Sequence, residues 1–132
     1  MRALRRGCPC ASNLCYEDCC GPIHLDAIVP GTAEQLMRAR YSAFAVGNSA
    51  FLLDTWSPLT RPASIRLDPA QQWIDLQILS RVRGGLLDSY GEVIFRAEYV
   101  VADVGRSMTE MSKFQRVAGR WMYVAAGSSR ER

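Results

Sequence analysis

The chain has 132 residues, 48% of them hydrophobic and 22% charged, with a formal net charge of +3. These values belong to a chain that buries one sizeable core, and they exclude a disordered, fibrous or multidomain protein. The basic excess is small, and fifteen of the sixteen cations are Arg spread from Arg2 to Arg132, which disfavours nucleic-acid binding against a simple compositional bias.

The longest uncharged stretch, Tyr41 to Leu53, is broken by Gly47, Asn48 and Ser49 and is shorter than the roughly 20 residues of a bilayer span. No apolar segment of signal-peptide kind follows Arg2, Arg5 and Arg6. The expected location is the cytoplasm, with no membrane as a partner.

All five cysteines lie between positions 8 and 20. A chain of this kind that crowds its thiols is expected to bind metal in preference to forming disulfides. Cys8-Pro9-Cys10, eight intervening residues and Cys19-Cys20 supply two close pairs. Four soft donors at about 2.3 Å satisfy tetrahedral zinc, and short-spaced pairs bring them together at little loop-closure cost. The simplest ligand set is therefore Cys8, Cys10, Cys19 and Cys20. Pro9 stiffens the first pair, while Gly7 and Gly21 are expected to ease tight turns about the metal. Cys15 sits in mid-spacer and reads as an ordinary packed thiol. His24, the sole histidine, competes with Cys20 for the fourth position. A site of four thiolates leaves no place for water or substrate, so its zinc would be structural.

Cys-x-Cys followed by Cys-Cys resembles the SEC-C zinc motif found at the C terminus of the SecA translocation ATPase and on many other bacterial proteins. Leu36-Met37-Arg38-Ala39-Arg40-Tyr41-Ser42-Ala43-Phe44, Thr55-Trp56-Ser57-Pro58 and Arg61-Pro62 resemble the YchJ-like family of uncharacterised bacterial proteins. That resemblance implies a zinc motif over residues 1–30 and a nuclear-transport-factor-two-like domain over residues 31–132. It departs at Thr109-Glu110, where the family pattern carries His-Glu, and near Ala125-Ala126, where it carries Asp-Gly.

Residue patterns support the same architecture independently. Thr32 with Gln35 forms a capping box, and Met37, Tyr41 and Phe44 recur at helical spacing, predicting a helix from about Ala33 to Val46 that Gly47 ends. Asn48 or Ser49 caps a shorter helix carrying Phe51, Leu52 and Trp56 until Ser57-Pro58 stops it. Asp68-Pro69 opens a turn or short helix through Trp73. Strands follow: Leu76, Ile78 and Ser80 alternate with their neighbours, Gly84-Gly85 turns the chain, and Val93, Phe95, Ala97, Tyr99 and Val101 share one face. A third strand runs from Met108 to Val117, Ala118-Gly119 turns, and a fourth covers Arg120 to Ala126. Helices first and hairpin-linked strands afterwards predict an α+β fold, with helices packed on a curved antiparallel sheet that closes a conical pocket.

Alternation along the third strand points Glu110, Ser112 and Phe114 toward the helices. Tyr41, Trp56, Arg61, Glu110 and Ser112 are the candidate ligand-binding residues, with Glu110 the single catalytic candidate. As a structural group, Glu110 would pair with an Arg such as Arg40, Arg61 or Arg96, or with a Tyr or Trp donor. Two functions fit: a binding module whose knuckle meets a protein partner and whose pocket holds a small molecule, or a small lyase or isomerase using Glu110. Few apolar residues precede Pro30, so the α+β domain is expected to stay folded without them.

Overall fold

The computed structural model describes residues 7–127; Arg2, Arg5, Arg6 and the outermost parts of the two expected segments lie outside them. The described chain forms a 3-10 turn (Tyr16–Asp18), helices α1 (Cys20–His24), α2 (Ala33–Val46) and α3 (Ser49–Asp54), and strands β1 (Gln72–Arg83), β2 (Tyr90–Val101), β3 (Val104–Val117) and β4 (Arg120–Gly127). The strands form one antiparallel sheet in the order β1-β2-β3-β4. This is the α+β arrangement predicted from the residue pattern.

Local chemistry sets the helix ends. The Thr32 side chain accepts from Gln35 N at 3.1 Å. Gln35 Oε1 reaches back past Thr32 to accept from Gly31 N at 2.6 Å. Gly47 closes α2 at φ +79°, the left-handed conformation that favours glycine. Asn48 then caps α3 through Phe51 N at 3.0 Å. The helix ends before Trp56, whose backbone lies beside Tyr123 of β4. Ser57 N donates to Tyr123 O, and Tyr123 N donates to Thr55 O, each at 2.7 Å. Trp56 is thus fixed to the sheet, whereas the spacing places it on the helix.

Trp73 also departs from expectation. Asp68 makes a tight turn, accepting from Ala70 N and Gln71 N, and β1 begins at Gln72, so Trp73 is a strand residue. β3 begins four residues earlier than predicted, because Ala102 and Asp103, both at positive φ, form a tight connection after Val101. Register irregularities at Trp73/Asp75, Ile78/Ser80 and Lys113/Phe114 mark bulges, which bend strands and increase their twist.

α2 lies across the sheet and touches all four strands. Leu36, Ala39 and Ala43 of α2, Leu52 of α3, Val93 and Ala97 of β2, Phe114 of β3 and Trp121 of β4 are buried together. Cys8, Cys10 and Cys20 belong to the same buried cluster, with Tyr16, Cys19 and Ile23 packed against it. The first thirty residues are expected to be removable, but Cys8, Cys10 and Cys20 are built into the main core, so their removal should cost the α+β domain stability.

Candidate functional site

Two turns bring the thiols together. Cys8 N donates to Leu14 O at 2.8 Å and Ala11 N to Cys8 O at 3.1 Å, folding residues 7–15 into a hairpin-like loop. Ala11 and Asn13, at φ 65° and 73°, take the left-handed conformations that the tight turn requires. Gly7 does not carry this bend. Gly21 is needed for space, since a Cβ there would meet Tyr16 O at 2.8 Å. Cys8, Cys10, Cys19 and Cys20 converge, their Sγ atoms all within 4.8 Å of one another. Cys10 and Cys19 are 3.6 Å apart, and Cys19 and Cys20 are 3.9 Å apart. Tetrahedral bonds of about 2.3 Å place sulfurs roughly 3.8 Å apart, so the donor set fits a metal ion of zinc's size.

Protonation of the thiols is unequal. The hydrogen bond from Cys20 draws Cys10 down to about 4 against the effect of burial, with Ser12, Cys8 and Cys19 assisting. Burial pushes Cys19 up to about 11. Cys20 is raised as well, by its bond to Cys10 and then by burial. Cys10 is thus the thiol favoured as thiolate while Cys19 and Cys20 hold their protons, and stabilising more thiolates requires a cation at their centre.

His24 is not a ligand in this geometry. Its Nδ1 lies 2.5 Å from Tyr16 Oη and its Nε2 lies 2.7 Å from Ala39 O. Because the carbonyl can only accept, Nε2 carries the proton and the tyrosine hydroxyl donates to Nδ1. Burial lowers its pKa, keeping the ring neutral. His24 therefore docks the knuckle on α2. Arg38 Nη1 does the same through Cys10 O at 2.7 Å, and Ser42 Oγ through Cys8 Sγ at 3.4 Å. Glu34 holds Arg38 at 2.9 Å and also binds Arg81 of β1 at 2.6 Å.

Between α2 and the sheet lies a cavity of about 140 Å³. Tyr41, Trp56, Glu110 and Ser112 all line it, with Arg40 and Tyr123 on the same wall. Arg61 does not: its Nη1 lies 3.4 Å from Leu53 O, and it borders a second cavity of about 380 Å³ shared with His24, Asp26 and Arg120. Arg40 is 4% exposed, and its Nη1 donates to Leu52 O and Thr55 Oγ1, each at 2.8 Å. The guanidinium stacks over Tyr123 at 4.4 Å and Trp56 at 5.2 Å. Tyr41 Oη and Trp56 Nε1 are buried without a hydrogen-bond partner among the described residues. The residue pattern does not place Trp73 or Tyr123 in the pocket and offers Arg40 only as a partner for Glu110; the helical spacing of Arg40 from Leu36, Met37, Ala43 and Phe44 is the signal for its burial.

Glu110 departs from the expected pairing. No hydrogen bond or ion pair to it is formed among the described residues, and burial raises its pKa above the usual glutamate range. The folded protein then binds the proton more tightly than the unfolded chain, so stability falls as pH rises from the unfolded value through the raised one. Glu110→Gln should remove this loss, leaving the variant at least as stable as the parent at neutral pH, with its advantage over the parent shrinking as pH falls. Midpoints measured from about pH 4 to pH 8 check this. A Gln variant less stable than the parent at neutral pH would show that the carboxylate has a favourable partner.

Residues 32–126 match the family model described as YchJ, middle NTF2-like domain. A UPF0225 protein of Streptomyces coelicolor is 46% identical over 116 residues, covering 88% of this chain and 90% of the relative. One from Corynebacterium glutamicum is 47% identical over 120 residues, covering 91% and 95%. The solution structure of a SEC-C motif containing protein from Rhodopseudomonas palustris superposes with a TM-score of 0.79 at 26% identity, over 96% of this chain and all of that one. The crystal structure of a SEC-C motif containing protein from Psychrobacter arcticus gives 0.73 at 25% identity, over 95% and 82%. No helix of the described residues is long and apolar enough to cross a membrane.

Proposed function

Because the chain belongs to the YchJ-like family of UPF0225 proteins, we propose that it is a zinc-stabilised binding module whose cone cavity takes a small molecule. Residues 1–30 form the zinc-binding segment, with Cys8, Cys10, Cys19 and Cys20 as ligands, and residues 31–132 form the binding domain. Zinc supplies a closed tetrahedral crosslink and no chemistry at the cavity. Reduced, metal-bound thiols suit the cytoplasm. Elemental analysis should find one zinc per chain; iron instead would keep the site and change the metal, since four thiolates also suit iron.

The observation that carries the binding role is the orphaned pair Tyr41 Oη and Trp56 Nε1 on the cavity wall. Each buried group left unpaired costs about 1–3 kcal/mol, a cost that a bound molecule with an acceptor would relieve. Tyr41→Phe should therefore stabilise the free protein by about 1 kcal/mol, because it removes an unpaired hydroxyl and keeps the ring. Chemical denaturation checks this, and a clear destabilisation would mean the hydroxyl is already satisfied. Ligand binding itself is tested by adding ring-sized compounds to the metal-loaded chain and following the indole N–H resonance of Trp56.

A protein partner is a second reading, favoured by Leu25, Ile28 and Val29, which follow α1 and are 82%, 53% and 49% exposed. Leu25→Ser with Ile28→Ser should abolish capture of that partner from cell extract without changing zinc content. Glu110 keeps the capacity for acid or base work, with the phenols of Tyr41 and Tyr123 as the other groups of that kind lining the cavity.

A further inference from the structure

Arg40 is a buried cation without a counter-ion among the described residues. Its two hydrogen bonds go to neutral oxygens, and the remainder of the guanidinium faces the rings of Tyr123 and Trp56. Burial lowers its pKa only to about 10, so it is charged at neutral pH. A charge removed from water is normally paired, and aromatic faces offset only part of what hydration supplied. Trp56 Nε1, on the ring whose centroid lies 5.2 Å from the guanidinium carbon, is a donor that finds no acceptor among the described residues. Both groups can only donate. Whatever enters must therefore present acceptor oxygens, and the uncompensated charge selects an anionic set.

The rest of the wall fixes the body of the ligand. Met37, Phe44, Trp73, Phe95 and Met108 are apolar. About 140 Å³ is close to the volume of engineered cavities that admit benzene. Glu110, in the same wall, opposes a second negative charge on the ligand and so disfavours phosphate esters and dicarboxylates.

From Arg40 and Trp56 at one part of this small apolar cavity, we infer that the cavity binds a monocarboxylate whose body is a single ring or a branched chain of similar size. The carboxylate accepts from the Arg40 guanidinium and from Trp56 Nε1–H, and the ring packs among Phe44, Trp73 and Phe95. This inference rests on the cavity being a binding site. It adds the ligand's charge and size.

The test titrates the full-length, metal-loaded protein with benzoate, its neutral analogue benzamide and inorganic phosphate. The Trp56 indole N–H resonance is the readout, assigned by its loss in Trp56→Phe. Benzoate should shift it saturably and bind at least about tenfold more tightly than benzamide, with phosphate leaving it in place. Trp56→Phe, read by the thermal shift that benzoate induces, should weaken benzoate about tenfold. Benzamide binding as tightly as benzoate, or phosphate displacing it, would overturn the monocarboxylate assignment while the cavity remained a binding site. A resonance that none of the three compounds moves would overturn both. The comparison of benzoate with benzamide on the parent protein, read by the thermal shift each induces, decides the matter even if Trp56→Phe fails to fold.

Discussion

With the proposed zinc bound, Cys10→Ser or a strong chelator should release it and lower the unfolding midpoint of the whole chain, not only melt its first thirty residues. Structural zinc in small peptides contributes about 10–16 kcal/mol of apparent binding free energy, all of it folding free energy where the apo segment has no structure. The total stability of a domain is about 5–15 kcal/mol, so a site coupled to the core weighs heavily in it. Coupling is visible at atomic level here. Cys8, Cys10 and Cys20 are buried in the cluster that holds Leu36, Ala39 and Leu52. His24 Nε2, Arg38 Nη1 and Ser42 Oγ tie the same segment to α2. Melting the knuckle would bare the upper face of α2 and leave the Arg38 guanidinium without the Cys10 carbonyl. A deletion of residues 1–30 should act in the same direction. Calorimetry with zinc and with chelator measures the shift, and Cys15→Ser serves as a control that keeps the metal. An unchanged midpoint for metal-free Cys10→Ser would show that the knuckle is only loosely appended.

Acid should reproduce the metal loss. Protons compete with the metal for every thiolate, and His24, whose pKa burial has lowered, must take up a proton on unfolding. The folded form therefore loses stability as pH falls through the ordinary histidine range near 6.5. Acidification acts on Glu110 with the opposite sign, which is why Glu110→Gln should unmask a steeper acid loss from the knuckle.

Much of this architecture is legible in the residue order because local rules and tertiary packing agree. Thr32, Gln35 and Gly47 mark the ends of α2 by capping chemistry that needs no partner, and Val93, Phe95 and Ala97 mark a half-buried strand by period alone. The two cysteine pairs read as one site because close spacing leaves the chain few other arrangements. What was hidden depends on contacts distant in sequence. Local spacing extends the helix through Trp56, but β4, more than sixty residues later, captures its backbone. Proximity in sequence assigns Arg61 to the pocket, but the chain after Trp56 runs along β4 and delivers it to another cavity. Burial of Arg40 contradicts its residue type while agreeing with its helical position, and position prevailed because Leu52 O, Thr55 Oγ1 and two aromatic faces receive it.

Arg40→Ala should consequently cost about 2–5 kcal/mol, among the largest effects available to a single substitution outside the metal site. The side chain that disappears fills space between α2, α3 and β4, and the Leu52 carbonyl loses its charged donor. Thr55 Oγ1 is less exposed to the loss, since it also donates to Phe51 O at 2.8 Å. Arg40→Lys keeps the charge but replaces a planar group by a point charge that cannot stack on Tyr123 and satisfy two oxygens together, and roughly 1–3 kcal/mol should still be lost. Arg40→Met removes the buried charge and restores most of the volume, so it should cost less than Arg40→Ala, the outcome expected when desolvation of an ion has been a continuing expense. Urea unfolding of the three variants, with metal content checked, measures the series. An Arg40→Ala protein within about 0.5 kcal/mol of the parent would mean that the guanidinium is neither buried nor bonded as described. An Arg40→Met protein less stable than Arg40→Ala would place the stabilisation in the charge itself, held by the aromatic faces more strongly than its hydration.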